Sequence, residues 1–522
     1  MVGEVTMARR SSVAAVLLAG ALMLASAVGA YAAPLTDTSA LREAVTLDAV
    51  RAHQAEFQEF ADLSDGTREA STLGYKLSAD YVAGLLEAAG YDVTRQTFDY
   101  NFYEELAPPV VTGTSPGFPF TYTVGVNIAT MGFSGSGMVT GVVQGVNDNI
   151  VPLPVGQPDS TSNAGCEDAD FAGFTGDIAL IQRGTCFFFE KIANAVEAGA
   201  EAVIIFNEGN SPERSGIDFG QASFPQDVPV IEMSAEAGAA LVEFIEAEAA
   251  AGRQVTLTVT TSTVSEVRQS ENVIAQTTTG RTDRVVVSGA HLDSVIEGPG
   301  IQDNGSGSAA QLEVALQMAE LGIEPVNQVR FIWFGAEEAG LVGSQYYVDQ
   351  LTKREVKGIA VMLNFDMIGS PNAGWFVYDG DASDTASTGS TGSGVVEDVF
   401  VDFFTSIGRQ TEPTAFDGRS DYDAFVAAGI PAGGLFTGAE DIKTAEQAAK
   451  WGGTAGVAFD PCYHQACDTY ANVNLVALDE MTDAMAHAVL TFAMTSSAVQ
   501  GTDRASDNAA YDPTFRGSKA IK

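Results

Sequence analysis

Short apolar runs separated by polar, glycine-rich turns dominate the second half of the chain. Val285-Val286-Val287 and Phe331-Ile332-Trp333-Phe334 are too short for helices and rich in β-branched or aromatic residues, which predicts strands buried in a parallel sheet. Between them, residues 308–321 carry Leu312, Ala315, Leu316 and Ala319 on one face, the spacing of a helix packed on a sheet. The unit is strand–helix–strand. A third run at 358–365 predicts another buried strand, and 429–435 a strand and turn. Residues 343–351, 395–407 and 477–494 read as helices.

The first half has a different texture. Residues 41–62 and 74–89 are helical in period, the second with Leu77, Tyr81, Leu85 and Ala89 on one face and Gly90 as the stop. Residues 91–100 read as a strand, and His53 as a surface or boundary histidine within the first helix. From about 132 to 263, glycine, serine, proline and asparagine are dense. Apolar bursts fall at 137–143, 177–181, 202–206 and 229–231, a helix at 187–198, and an alternating strand at 255–264. This β-rich block reads as an insertion without a plausible metal cluster, able to serve by contacts. Residues 383–394, rich in serine, threonine and glycine, read as a flexible loop.

The chain of 522 residues is long enough for two or three domains and a large core. Its net charge of −42 argues against nucleic acid or an anionic membrane surface as partner. Residues 7–33 look like an export signal: Arg9 and Arg10 start it, residues 13–28 are apolar and small, and Ala30-Tyr31-Ala32 offers a cleavage site. The twin arginines leave the export route open. The segment is short and alanine-rich for a membrane anchor, and no cysteine near the cleavage site supports lipid anchoring. No later run reaches the roughly 20 apolar residues of a spanning helix. Four cysteines allow three pairings. The local one, Cys166–Cys186 and Cys462–Cys467, is expected because each pair lies within one apparent domain; zinc ligation by the thiols is the alternative, disfavoured in an oxidising compartment.

Chemistry concentrates where the predicted strands end. His291 and Asp293 follow the first, Glu337-Glu338 the second and Asp366 the third, and Asp303 opens the intervening helix. Open α/β sheets gather ligands at such carboxyl ends. Taken singly, each residue has a plainer explanation: a hydrogen-bonded histidine, a solvated acidic pair, a helix cap. Together the acids would repel one another unless cations neutralise them. With His464, two histidines and three carboxylates suit two zinc ions roughly 3.5–4 Å apart with one carboxylate bridging. One acid is then left over, and Glu337 fits the part of a proton acceptor beside a ligand. Asp293 is placed to accept from the His291 imidazole and fix its tautomer.

At these residues the sequence resembles the secreted co-catalytic dizinc exopeptidases, in particular bacterial leucine aminopeptidases and aminopeptidase Y. The likeness rests on GAHLDSV, QDNGSG, FGAEEAGLVGS, NFDMIG and CYHQACD, specific in combination and weak singly, and it covers most of the mature chain. It implies an α/β fold: a mixed, largely parallel sheet sandwiched by helices, interrupted by a β-rich protease-associated domain. The corresponding layout is a signal peptide at 1–33, a peptidase domain at 37–131 and 264–498, the insert at 132–263 and a disordered tail at 499–522. By the resemblance, His291, Asp303 and Asp366 hold one zinc, and Asp303, Glu338 and His464 the other, with Asp303 bridging. Glu337 is then the general base, and Tyr463 donates to the oxyanion of the tetrahedral intermediate. A substrate's amino group is drawn to the acids, including Glu337 and Asp366. Arg419 is a candidate substrate contact and equally a candidate surface salt bridge.

The implied activity is release of amino-terminal, leucine-like residues from peptides by a secreted, monomeric enzyme with two zinc ions per chain; calcium among the surface acids stays open. Three other readings compete. A carboxypeptidase of the same superfamily needs a basic pocket, and few basic residues surround the motifs. A glutaminyl cyclase-like acyltransferase typically works with one zinc, against the two-metal set and the insert here. A non-enzymatic binding protein is opposed by the intact Glu337.

Overall fold

The computed structural model describes residues 36–157, 161–217, 220–386 and 389–495; the expected signal peptide and C-terminal tail lie outside them. Helices α1 (Ser39–Ala44), α2 (Leu47–Asp62) and α3 (Leu73–Ala88) come first. The single helix expected over 41–62 is broken because the Thr46 side chain accepts from Ala49 N (3.3 Å) and caps α2. Strand β1 (Asp92–Gly113) follows, much longer than expected. Then come β2 (Ile128–Thr130), β3 (Gly137–Gly145), β4 (Ile178–Gln182), α4 (Phe188–Glu197), β5 (Ala202–Phe206), β6 (Val230–Met233) and α5 (Ala235–Ala250). The second half of the chain comprises β7 (Thr256–Gln276), β8 (Arg281–His291), α6 (Gly305–Glu320), β9 (Asn327–Phe334), α7 (Val342–Asp349), α8 (Lys353–Gly358) and β10 (Ile359–Phe365). It ends with β11 (Phe376–Tyr378), α9 (Ser393–Ser406), β12 (Glu412–Thr414), α10 (Tyr422–Ala427), β13 (Ala432–Phe436), α11 (Ala445–Trp451) and α12 (Leu475–Met494).

The strands join in the order β12-β11-β13-β10-β8-β9-β7-β3-β4-β5-β6-β2, with β1 antiparallel to β7. At the centre, β9, β8, β10 and β13 are parallel neighbours, so their carboxyl ends share one rim. Their residues alternate between two apolar layers. Val286, Phe331, Trp333, Val361, Leu363 and Phe365 face α1–α3, α6, α9 and α12; Val287, Ile332, Phe334 and Met362 face α7, α8 and α10. Burial on both faces explains why these strands read as unbroken apolar runs.

Strand β7 is the seam between the halves. Thr260 pairs with Met138 of β3, and further along Ile274 pairs with Ile332 of β9. The strand expected to close at Val264 continues because its polar stretch, including Glu266, Arg268 and Glu271, lies on an exposed ribbon with β1. Helix α6 begins three residues before its expected start. Asn304 caps it, accepting from Gly307 N (3.0 Å). Gly307 itself is needed for close approach: a Cβ there would stand 2.1 Å from the Phe365 carbonyl oxygen.

His53 is buried rather than superficial. Its Nδ1 lies 2.8 Å from Tyr81 Oη and its Nε2 3.2 Å from Glu313 Oε2, tying α2 to α3 and α6. Both local disulfides are formed, Cys166–Cys186 and Cys462–Cys467, and no free thiol remains for a metal. Among the described residues no helix is long and apolar enough to cross a membrane.

One cation organises the loop after β8. Arg68, fully buried between α2 and α3, donates to the carbonyls of Leu292, Pro299 (2.9 Å) and Gly300 (2.6 Å). Removing it strands three buried acceptors, each costing about 1–3 kcal/mol. We expect Arg68→Met to lower unfolding stability by at least ~3 kcal/mol, measured as a shift of the urea midpoint at unchanged slope; a shift within error would show the loop to be held otherwise.

Candidate active site

The parallel strands deliver the predicted residues to one rim. His291 ends β8, Glu337 and Glu338 follow β9, Asp366 follows β10, and Asp303 stands just before α6. His464 comes from farther along the chain, in the loop closed by Cys462–Cys467. The His291 Nε2 lies 3.2 Å from Asp303 Oδ1 and 3.2 Å from Asp366 Oδ1. The His464 Nε2 lies 3.4 Å from Asp303 Oδ2 and 3.0 Å from Glu338 Oε2. Asp303 thus faces one imidazole with each oxygen. Glu337 Oε2 is 3.9 Å from His291 Nε2. All six side chains converge, and all but His464 are largely shielded from solvent.

Burial and charge make this a site of displaced protons. Burial opposes ionisation of Asp303, yet hydrogen bonds from both imidazoles hold its carboxyl well below the usual range. Burial, then the Asp303 charge, pushes Glu338 up to about 7. Burial likewise raises Glu337 well above an ordinary glutamate; His291 partly opposes this, and Asp366 and Glu338 add to it. For His464, burial pulls downward, but the facing Glu338 and Asp303 prevail and lift it to about 11. One acceptor atom, Glu338 Oε1, is buried with no hydrogen-bond partner. Nitrogen and oxygen donors that converge while one stays orphaned fit a metal ion better than a self-satisfied network.

The supporting contacts differ in part from expectation. His291 Nδ1 lies 3.2 Å from the Asp293 backbone carbonyl and 3.7 Å from its carboxylate. The carboxylate instead accepts from Glu337 N (3.2 Å) and Glu338 N (3.3 Å), so Asp293 aims both consecutive glutamates. Tyr463 stacks on His464 (centroids 3.8 Å apart), and its hydroxyl accepts from Arg419 Nη2 (3.1 Å). Arg419 also forms the salt bridge weighed for it, to Glu440 (2.9 Å).

Several residues without an expected role complete the site. Asp468 accepts from Gln302 N and Asp303 N, each at 2.9 Å, and Ser420 Oγ donates to Asp366 Oδ2 (2.6 Å). Asp468 sits inside the CYHQACD motif, where its place next to Cys467 was the available signal. Another acidic group, Asp379, Asp381 and Glu397, is occupied with backbone amides: Asp379 accepts from Ser383, Asp384 and Thr385, and Glu397 from Gly380.

The profile of Peptidase family M28 matches residues 272–489, and that of the PA domain residues 147–241. An aminopeptidase of Pseudomonas aeruginosa is 47% identical over 433 residues, covering 82% of this chain and 77% of its own. The chain belongs to peptidase family M28. A probable leucine aminopeptidase 2 of Aspergillus fumigatus is 44% identical across 64% of this M28 chain and 65% of its own. The structure of an aminopeptidase from Aneurinibacillus sp. strain AM-1 superposes with a TM-score of 0.59 at 25% identity, covering 88% of this chain and 96% of that one. This M28 protein is therefore a metallo-exopeptidase, a hydrolase of the aminopeptidase type, with a protease-associated segment.

Asp421, at the start of α10, is buried and neither carboxylate oxygen has a hydrogen-bond partner. The neighbouring Ser344 hydroxyl donates to Leu341 O instead (3.2 Å). Burial raises this carboxyl from 3.8 to about 7. The unfolded chain sheds the proton at the lower value, so folding loses stability as pH rises from about 4 to about 7. In the metal-free protein, Asp421→Asn should therefore be more stable than the parent at pH 8, by an amount on the order of 2–4 kcal/mol. The gain should vanish below pH ~4; thermal melts across this range check it, and an equal gain at both ends would contradict it.

Proposed function

We propose that this protein is an exported aminopeptidase that uses two zinc ions and Glu337 as general base to release amino-terminal residues, apolar ones foremost. The observation that carries it is the double approach of Asp303: one carboxylate, two imidazoles on its two oxygens, and Asp366 and Glu338 behind them. That set supports His291, Asp303 and Asp366 as one group of ligands and Asp303, Glu338 and His464 as the other. Zinc bound there would supply an acidified water and polarise the scissile carbonyl.

The chain's own groups do the rest. Glu337, raised in basicity by burial and held by its N–H on Asp293, takes the proton of the attacking water and passes it to the leaving amine. Tyr463 accepts from Arg419 and so keeps its own O–H to donate to the developing oxyanion. The substrate's ammonium group suits the acidic rim of Glu337 and Asp366. Arg419, paired with Glu440, is a poor reader of a free carboxylate, which supports the aminopeptidase over the carboxypeptidase. Preference for apolar residues draws on the relatives named as leucine aminopeptidases. Two disulfides support an oxidising compartment and hence export. Residues 37–131 and 264–498 are read as the peptidase unit and 132–263 as the insert, in keeping with the two profile matches.

Three experiments test this. Glu337→Ala should retain zinc by elemental analysis while kcat/KM on an aminoacyl anilide falls by about 10²–10⁴; full turnover with metal in place would reject the base. Acetylating a peptide's amino terminus should abolish cleavage, and amidating its carboxyl end should not. The reverse result would favour the carboxypeptidase. Removing metal with a chelator should abolish activity and zinc should restore it.

A further inference from the structure

Arg419 makes two contacts at once, and the second partner of its guanidinium has no assigned role. Nη1 donates to Glu440 Oε1 (2.9 Å) and Nη2 to Glu440 Oε2 (3.2 Å), while Nη2 also donates to Tyr463 Oη (3.1 Å). Two carboxylate oxygens and a phenol oxygen therefore share the two terminal nitrogens of one planar guanidinium. Both arms are anchored. The Arg419 amide donates to Asp417 Oδ1 (3.1 Å). Glu440 leaves β13 through Gly438, whose φ of +95° and a would-be Cβ only 2.3 Å from Phe459 Cγ fix the turn.

We propose that Glu440 is a positioning residue for the peptidase reaction: by holding the Arg419 fork in plane, it aims Nη2 at the Tyr463 hydroxyl and so directs the phenolic O–H toward the reacting carbonyl. The Arg419 and Glu440 side chains are 47% and 52% exposed. As a plain surface pair, such a contact contributes little to stability, so its effect lies in direction. With one acceptor lone pair of Oη filled by Arg419, the remaining proton has a defined heading. A flexible ammonium in place of the fork cannot bridge carboxylate and phenol in one plane. Glu440 also engages the guanidinium with both oxygens, leaving that edge closed to a substrate carboxylate.

The inference rests on Tyr463 being the oxyanion donor, and a double-mutant cycle separates the two ideas. With the zinc-loaded protein and an aminoacyl anilide, Glu440→Gln should lower kcat by ~10-fold with KM changed less than ~2-fold. Zinc content and melting temperature should stay as in the parent. Tyr463→Phe should lower kcat further, and the double variant should match Tyr463→Phe alone. Arg419→Lys should behave like Glu440→Gln. Penalties that multiply in the double variant, or an unchanged kcat in Glu440→Gln beside a slow Tyr463→Phe, would overturn the role of Glu440 alone. A fully active Tyr463→Phe would overturn the oxyanion donor and this inference with it.

Discussion

Mutual repulsion among Asp303, Glu337, Glu338 and Asp366 is the constraint around which the peptidase half is built. Four carboxylates on one shielded rim cannot all ionise without positive charge among them. Where His291 and His464 supply it, they do so by rising well above an ordinary imidazole. The surrounding chain supports the arrangement with contacts that constrain position. Asp468 grips the amides of Gln302 and Asp303, Asp293 those of Glu337 and Glu338, and Ser420 holds Asp366. Further acids are thus recruited to steady the first ones, and each is itself buried. Burial pushes Asp468 up to about 8, against its bond from Asp303 N. A protein arranged this way concentrates anionic charge where a divalent cation belongs.

The strands that carry this rim were legible because they are buried on both faces. Val285–Val287 and Phe331–Phe334 have no polar position to confuse the pattern, and their ends marked where His291 and Glu337 stand. The convergence of Asp303 and His464 was readable only through the combination of motifs, since over a hundred residues separate them and no local period connects them. Other features were hidden for identifiable reasons. The first turn of α6 is Gly305-Ser306-Gly307, which reads as loop although close packing on Phe365 demands it. Strand β7 loses its apolar alternation where it forms an exposed ribbon with β1. Arg68 has no local signature, because its partners are backbone carbonyls over two hundred positions away.

Polar side chains were harder to place than apolar ones for a general reason. Asp293 was expected to serve the His291 ring with its carboxylate, and instead serves it with its backbone carbonyl. Either atom satisfies the same nitrogen, and only the strand-end geometry chooses between them. Arg419 likewise forms the salt bridge expected of it, to Glu440, and in addition donates to Tyr463 Oη, a contact no local pattern announced. A planar donor with five N–H groups can meet both demands at once.

The β1–β7 ribbon has one further consequence. Because β7 pairs with β3 at one end and β9 at the other, the inserted segment is not a bead hung on two slack tethers. Excising residues 132–263 would remove the outer part of β7 and leave β1 from Glu105 to Gly113 without the strand it pairs with, offering unpaired backbone amides and carbonyls to other chains. A shortened enzyme would thus face self-association before any question of turnover, unless charged or proline residues were written into the newly bared edge.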